Sequence, residues 1–218
     1  MDIDLFTTWH ALPRLLQGAA VTLEVSVAAM ALGLLLATAF TILRESGNGA
    51  VRVCLRLYIG YIRGTPLLVQ ILLVYYGLPQ LGLGIGPLAA AILALGSSSA
   101  AYSTEIIRGG LAAIPAGQIE AALALGLGRV IIWSHIILPQ AYRLALAPLV
   151  NEFTQVIKGT ALVSVISVIE LMRVAQEIYN DNFRPLEVLI GVAGIYFAMN
   201  FILLRLAGFI ERRQRSKS

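Results

Sequence analysis

Charge is scarce in this chain, and so are the residue combinations on which most enzyme chemistry rests. Only 13% of its 218 residues are charged, well below the roughly one quarter usual for a soluble domain. A single cysteine, Cys54, excludes an internal disulfide framework and any CxxC metal site. No G-x-x-x-x-G-K-[ST] loop is present, because Lys158-Gly159-Thr160 lacks the glycines that would precede it. His10 and His135 each lack a second ligand at metal spacing, so no metal site is expected and both read as interfacial histidines. No Ser-His-Asp or paired-carboxylate set suggests hydrolysis, which leaves a membrane-embedded enzyme without a catalytic constellation. The N-terminus, Met1-Asp2-Ile3-Asp4, is acidic, whereas a secretory signal opens on basic residues and ends at a small-residue cleavage site. No cleaved leader is therefore expected.

Apolar residues fill the space that charge leaves. They make up 58% of the chain, and the mean hydropathy is +0.83. A bilayer core about 30 Å thick takes about 20 apolar residues of helix. Stretches of that length occur at 19–43, 57–79, 84–107, 144–169 and 186–210, although the second and fourth carry polar residues. The expected fold is an all-α membrane protein of five transmembrane helices, a single domain over 1–218. Basic residues set its orientation, since Lys and Arg near span ends stay cytoplasmic. Arg44, Arg52, Arg56 and Arg63 lie between the first two spans, Arg108 and Arg129 follow the third, and Arg212, Arg213, Arg215 and Lys217 close the chain. The opposite loops hold little basic charge: 81–86 has none, and 173–184 balances Arg against Glu177 and Asp181. N-out and C-in fits both sides. The net charge of +4 then reads as a topology signal spread over span ends, and no DNA-binding motif accompanies it.

Residues 1–18 are expected at the outer surface, with Trp9 in the headgroup layer. In "LRLYIGYIRGTPLLVQ", Gly64 and Pro66 permit a bent entry into the membrane, while Thr65 and Arg63 can meet exposed carbonyls or lipid phosphates. A plain interfacial turn reads equally from the same residues. "GSSSAAYSTEIIRGG" at 96–110 is rich in small residues, which let helices approach closely in lipid. Within it Tyr102, Glu105 and Arg108 form a helical stripe, open to a structural Glu–Arg contact or to a substrate role. Glu24, alone in the first span, is expected to face a partner subunit or headgroups.

The stretch 117–137 has a different character. Pro115 stops the third span, and Glu120 is expected in the first turn of a short helix, where the dipole favours a carboxylate. Ala121 and Ala122 keep one face thin, and Gly126 and Gly128 allow a turn that a Cβ would resist. "RVIIWSHIILP" is amphipathic and short, so it is expected to lie along the surface until Leu138-Pro139 starts the next span. The product is a helix–turn–helix elbow hanging into the cytoplasm, shaped to dock into another protein.

The spacing Glu120-Ala121-Ala122, Gly126, Ile136, Leu138-Pro139 resembles the loop that marks permease subunits of ATP-binding-cassette importers. "RGTPLLVQ" at 63–70, "YYGLPQ" at 75–80, "AYSTEIIRGG" at 101–110, "PAGQIEAALALGL" at 115–127 and "LPQA" at 138–141 narrow the resemblance. Together they are similar to the polar amino acid uptake permeases, the group of histidine, glutamine, arginine, glutamate and cystine systems, over roughly residues 15 to 210. That resemblance implies a type I importer permease in the bacterial inner membrane, multi-pass, working by alternating access. It implies that Glu120–Gly128 is the coupling helix pair seated in a separate ATPase, that ATP and Mg are bound there and not in this chain, and that no cofactor is held here. The implied partners are two ATPase subunits, a second permease identical or homologous, an extracytoplasmic amino acid-binding protein and membrane lipid; no nucleic acid is implied. One word departs from the family: relatives usually carry Lys-Asp-Thr-Ser-Leu where this chain has Lys158-Gly159-Thr160-Ala161-Leu162. Missing Asp and Ser side chains remove a polar gate contact and hint at pairing with a different subunit.

Polar residues inside a span normally face a cavity or a partner. Asn151, Gln155 and Lys158 recur on one helical face, Ser164, Ser167 and Glu170 follow, and Gly159 between them allows a break. A zwitterionic amino acid needs an anion for its ammonium, for which Glu170 is the candidate. Ser164, Ser167, freed backbone N–H groups and Lys158 are candidates for its carboxylate. In the family the glutamate at this place falls in the substrate pocket of some members; the other reading sets Glu170 at the wet outer face beside Arg173. Serines at 164 and 167 point to a neutral or acidic amino acid. The rival is an ion-gradient-driven carrier or channel for small polar solutes, which would need inverted repeats not seen at this length.

Overall fold

The computed structural model describes residues 5–45 and 48–215, with side-chain surroundings described for 9–45 and 48–209. Every element among them is helical: α1 (Leu5–Glu45), α2 (Gly49–Gly64), α3 (Leu67–Gln80), α4 (Pro87–Ala112), α5 (Ala116–Ala124), α6 (Arg129–Ile131), α7 (Leu138–Gly159), α8 (Leu171–Asn182) and α9 (Pro185–Arg215). A π-helical stretch, Ile132–Ile137, joins α6 to α7, and a 3-10 segment, Thr160–Ile166, extends α7. Arg212, Arg213, Arg215 and Lys217, which the orientation argument used, lie outside the residues whose side chains are described.

α1 is the spine. Its 41 residues start well before the expected surface segment ends, because Ala11, Leu15 and Ala19 are buried against Leu171, Val174, Ala175 and Ile178 of α8 and Val188 of α9. That packing sustains helix through 5–18, even across Pro13; the first four residues of the expected surface segment lie outside the described ones. Further along, Ala29, Met30 and Ala37 of α1 join Ala90, Ala91, Ala94 and Leu95 of α4 and Ala141, Ala145 and Leu149 of α7 in a second core. Alanines dominate this seam because lipid offers no hydrophobic drive for helix association, and close van der Waals approach must supply it. Large apolar side chains point outward instead: Leu35 is 69% exposed and Phe197 70%, as expected where the solvent is hydrocarbon.

The expected span 57–79 is broken. α2 and α3 meet at 112° because Pro66 donates no hydrogen bond and pushes Thr65 out of helical geometry (φ −119°, ψ 146°). Inside a membrane the freed carbonyls need donors. Gln70 Nε2 donates to the Ile62 carbonyl at 2.8 Å and the Thr65 carbonyl at 3.1 Å, and Thr65 Oγ1 donates to the Tyr61 carbonyl at 2.9 Å. The short arm after the elbow also differs from expectation: Arg129–Ile166 runs as one rod of 38 residues, so Pro139 opens no separate helix. Its ring occupies the second position of α7, immediately after the π-helical stretch. Among the described residues, Trp9–Glu45, Arg129–Ile166 and Pro185–Phe209 are by length and composition the 3 helices able to cross a membrane, or up to 4 with the bent pair. α4, at 26 residues, is long enough, but Gly96–Ser99 and Ser103–Glu105 interrupt its apolar run.

α4 and α7 cross so tightly at Gly110 that a Cβ there would stand 2.5 Å from the Ala141 carbonyl oxygen. Backbone cannot give way as a side chain does. Gly110→Val should therefore lower stability by about 1–3 kcal/mol, the usual cost of overpacking, seen as a lower melting temperature in detergent. Gly109→Ala, whose Cβ meets nothing within 4 Å, should leave it unchanged or slightly raised.

Candidate functional site

The elbow is built around one left-handed residue. α5 ends in a pair of bonds, Gly126 N–H to the Leu123 carbonyl at 2.9 Å and Leu127 N–H to the Ala122 carbonyl at 3.1 Å, which together form a Schellman cap. Gly126 sits at φ +74°, where an L side chain is strained; Gly128, at φ −67°, has ordinary extended geometry. α5 begins at Ala116, so Glu120 lies in its second turn and not, as expected, in its first. Ala122 is 3% exposed and packs in the core with Ile114, Ile132 and Ile137, whereas Glu120 and Ala121 are exposed. The two alanines thus serve opposite faces, and only Ala121 is free to meet a partner. Leu138 is half-buried and Pro139 exposed at the base. Sequence reasoning missed the brace between the arms: Gln140 Nε2 donates to Gln118 Oε1 at 2.8 Å. It missed the tip as well, where Leu125 is 79% and Val130 80% exposed.

A second feature is an open cavity of about 630 Å³ between the α2–α3 bend, α4 and the end of α7. Lys158 and Gln155 line it, as the helical stripe suggested, with Glu152, Ser98, Ser99, Tyr102 and Gln70 as further polar lining. Asn151, the first member of that stripe, is exposed and does not line it. Among the described residues, Glu152 and Lys158 are its only charged lining. Glu152 was overlooked because it sits one residue off the Asn151 stripe.

Glu170, Ser164 and Ser167 do not line this cavity. Glu170 is fully buried and caps α8: Oε1 accepts from Arg173 N–H at 2.8 Å, and Oε2 accepts from Met172 N–H at 2.9 Å and Tyr196 Oη at 3.2 Å. Thr22 Oγ1 lies 3.4 Å from Oε2 and accepts from Leu171 N–H at 3.2 Å. A carboxylate at a helix N-terminus is favoured by the dipole and the unpaired N–H groups. Neither a wet glutamate nor a pairing with the Arg173 side chain is found; Arg173 reaches Glu177 instead, at 3.6 Å. Ser164 Oγ donates to the Ala161 carbonyl at 2.8 Å, and Ser167 ends the 3-10 segment in a left-handed turn at φ 65°. Glu24 is exposed on α1. Glu105 makes the structural contact that the stripe left open, with Arg108 at 2.6 Å. No group of three metal-ligating side chains occurs among the described residues.

Residues 29–216 match the family described as binding-protein-dependent transport system inner membrane component. The chain belongs to that family. It is 40% identical to the octopine transport system permease protein of Rhizobium meliloti over 97% of this chain and 90% of the relative. It is 39% identical to the glutamine transport system permease protein of Escherichia coli (strain K12) over 99% of both. A crystal structure of an amino acid ABC transporter with histidines superposes with a TM-score of 0.88 at 37% identity, covering 98% of this chain and 100% of that one. The protein is thus a membrane permease subunit of an ABC amino acid importer, not itself catalytic. Family membership sets aside the ion-gradient carrier.

Removing the cap should unfasten α8 from α1 and α9. Glu170→Ala is expected to lower stability by about 1–2 kcal/mol, and Glu170→Gln, which keeps one acceptor, by less; scanning fluorimetry in detergent compares the two.

Proposed function

We propose that this permease forms, with a second permease subunit, the path of an ATP-driven importer for a neutral polar amino acid, and that the cavity beside the α2–α3 bend receives the substrate. The observation that carries the reading is the charge pair of the cavity: Glu152 and Lys158 with no other charged lining residue. A zwitterion's ammonium would meet Glu152, and its carboxylate Lys158. Both charges are then used by the backbone of the amino acid, so its side chain meets the uncharged polar residues Thr65, Gln70, Ser98, Ser99, Tyr102 and Gln155. Gln70 borders the cavity while its Nε2 holds the Ile62 and Thr65 carbonyls of the bend. Glutamine in the Escherichia coli relative is the kind of substrate this arrangement favours; an acidic or cationic side chain would lack a counter-charge. Glu170, Ser164 and Ser167 then shape the wall at one remove.

Energy would enter through the elbow. Exposed Glu120, Ala121, Leu123 and Leu125 offer an apolar tip with one carboxylate to a cleft in one of two ATPase subunits, which bind ATP and Mg. The braced arms and the continuous rod from Arg129 to Ile166 give a stiff lever from that tip to Lys158 and Gly159 at the cavity. Alternating access follows if tilting the rod switches the side on which the cavity opens. The arginine-rich connections support a reading in which these arms lie in the cytoplasm of a bacterium, N-out and C-in, with five crossings when the bent pair and α4 each count as one. An extracytoplasmic binding protein delivers the substrate to the opposite face.

In proteoliposomes holding the complete importer, Glu152→Gln should weaken amino acid stimulation of ATP hydrolysis roughly a hundredfold and leave basal hydrolysis intact. Unchanged stimulation would exclude this cavity. Glu120→Lys and Gly126→Asp should abolish uptake while membrane insertion stays normal; uptake equal to the parent would exclude coupling through the elbow.

A further inference from the structure

α2 has three distinct sides. Projected at about 100° per residue, Arg52, Arg56 and Arg63 fall within about 40° of each other, and Leu55, Ile59 and Ile62 on the side that is buried. Val53, Leu57 and Tyr61 make a third stripe and are 52%, 67% and 50% exposed. A helix with one side on protein, one apolar side exposed and arginines between them can run its apolar stripe along acyl chains while its cations reach the headgroups.

The arginine stripe borders two adjoining hollows at the foot of α1, α2 and α4, of about 500 Å³ and about 600 Å³. Arg44 and Arg56 line both, Arg52 and Arg108 the first, Arg63 the second. Two carboxylates face these cations. Glu105 is committed already, 2.6 Å from Arg44 Nη1 and 2.6 Å from Arg108 Nη2; Glu45 borders the first hollow and is exposed. Arg52 spends its Nε on the Arg44 carbonyl at 3.1 Å, which leaves its terminal nitrogens for a ligand. Among the described residues neither Arg52 nor Arg56 has a carboxylate within ion-pair distance. Guanidinium groups converging on a hollow suit a phosphate, which they bind through paired N–H donors.

We propose that this hollow holds the phosphate of an anionic phospholipid of the cytoplasmic leaflet, its acyl chains lying along Val53, Leu57 and Tyr61. Of the reading above it borrows only the orientation. A soluble acidic peptide would satisfy the arginines and leave that apolar stripe in water; a lipid covers both, and basic hollows between helix ends are where anionic headgroups bind. Arg44 and Arg108 would then sense the lipid through Glu105, which ties α1 to α4 at the base of the elbow.

Native mass spectrometry of the full chain in neutral detergent tests this, with dioleoylphosphatidylglycerol titrated against dioleoylphosphatidylcholine. Retention of phosphatidylglycerol should be about tenfold tighter or more. Arg52→Gln with Arg56→Gln should abolish the preference, whereas Arg143→Gln, which removes one arginine charge from α7 outside the hollow, should keep it. Leu57→Glu leaves every arginine in place and gives a second readout if the double variant does not fold; it too should lose the preference. Equal retention of the two lipids, a preference that survives the double variant or Leu57→Glu, or displacement of the lipid by millimolar inorganic phosphate would overturn the proposal. Neither ATPase nor transport enters the measurement, so its failure is separable from failure of the transport reading.

Discussion

A polar group inside a bilayer has no water to turn to, and the whole structure follows from that lack. Straight helices satisfy their own backbones, so they cost little in lipid. Departures from straightness need donors and acceptors from elsewhere in the chain. At the α2–α3 bend the Gln70 amide supplies them; at the start of α8 the Glu170 carboxylate does. Hydroxyls within the spans turn back on their own helices, as Ser26 does to the Thr22 carbonyl at 2.6 Å and Thr104 to that of Ala100 at 2.6 Å. Four buried side-chain atoms among the described residues stand without a partner, Thr41 Oγ1, Gln70 Oε1, Ser103 Oγ and Asn200 Oδ1, and of these residues Gln70 borders the cavity of about 630 Å³.

The same constraint bears on the two places where α-helix gives way beside that cavity. Thr65-Pro66 and the 3-10 segment after Gly159 both expose backbone groups, which membranes tolerate only beside protein or an aqueous space. The junctions therefore meet across the hollow, and side chains suited to a polar solute gather there. Stiffness elsewhere is the complement. Alanine-rich contact of α1 with α4 and the close crossing at Gly110 leave little room for sliding between these helices.

Much of this was legible in the sequence, where local rules suffice. Apolar runs gave the helices, Pro66 the bend, Gly159 the end of the α-helix, and the residue spacing around Gly126 the elbow and the family. Span counting was less secure, because Gly96–Ser99 makes α4 resemble neither lipid-facing nor soluble helix; its small residues serve packing. Tertiary partners were the part hidden from view. Glu170 and Lys158 share a stretch of chain, but Thr22 and Tyr196 draw the first into a cap while the second faces the cavity, and nothing near 170 in sequence announces residues 22 and 196. Glu152 escaped for a similar reason: a helical stripe drawn through Asn151 looks as polar as one drawn through Glu152, and only the neighbours Ser98 and Ser99 of α4 decide which side is enclosed.

The central claim is that the elbow delivers mechanical work from another polypeptide to the rod that lines the cavity. A photo-crosslinking amino acid at Leu125, 79% exposed at the elbow tip, reads this directly in membranes containing the assembled importer. The account predicts an adduct with the ATPase subunit whose yield changes when ATP is added. Adducts with lipid alone, or a yield to the ATPase that ignores nucleotide, would contradict it.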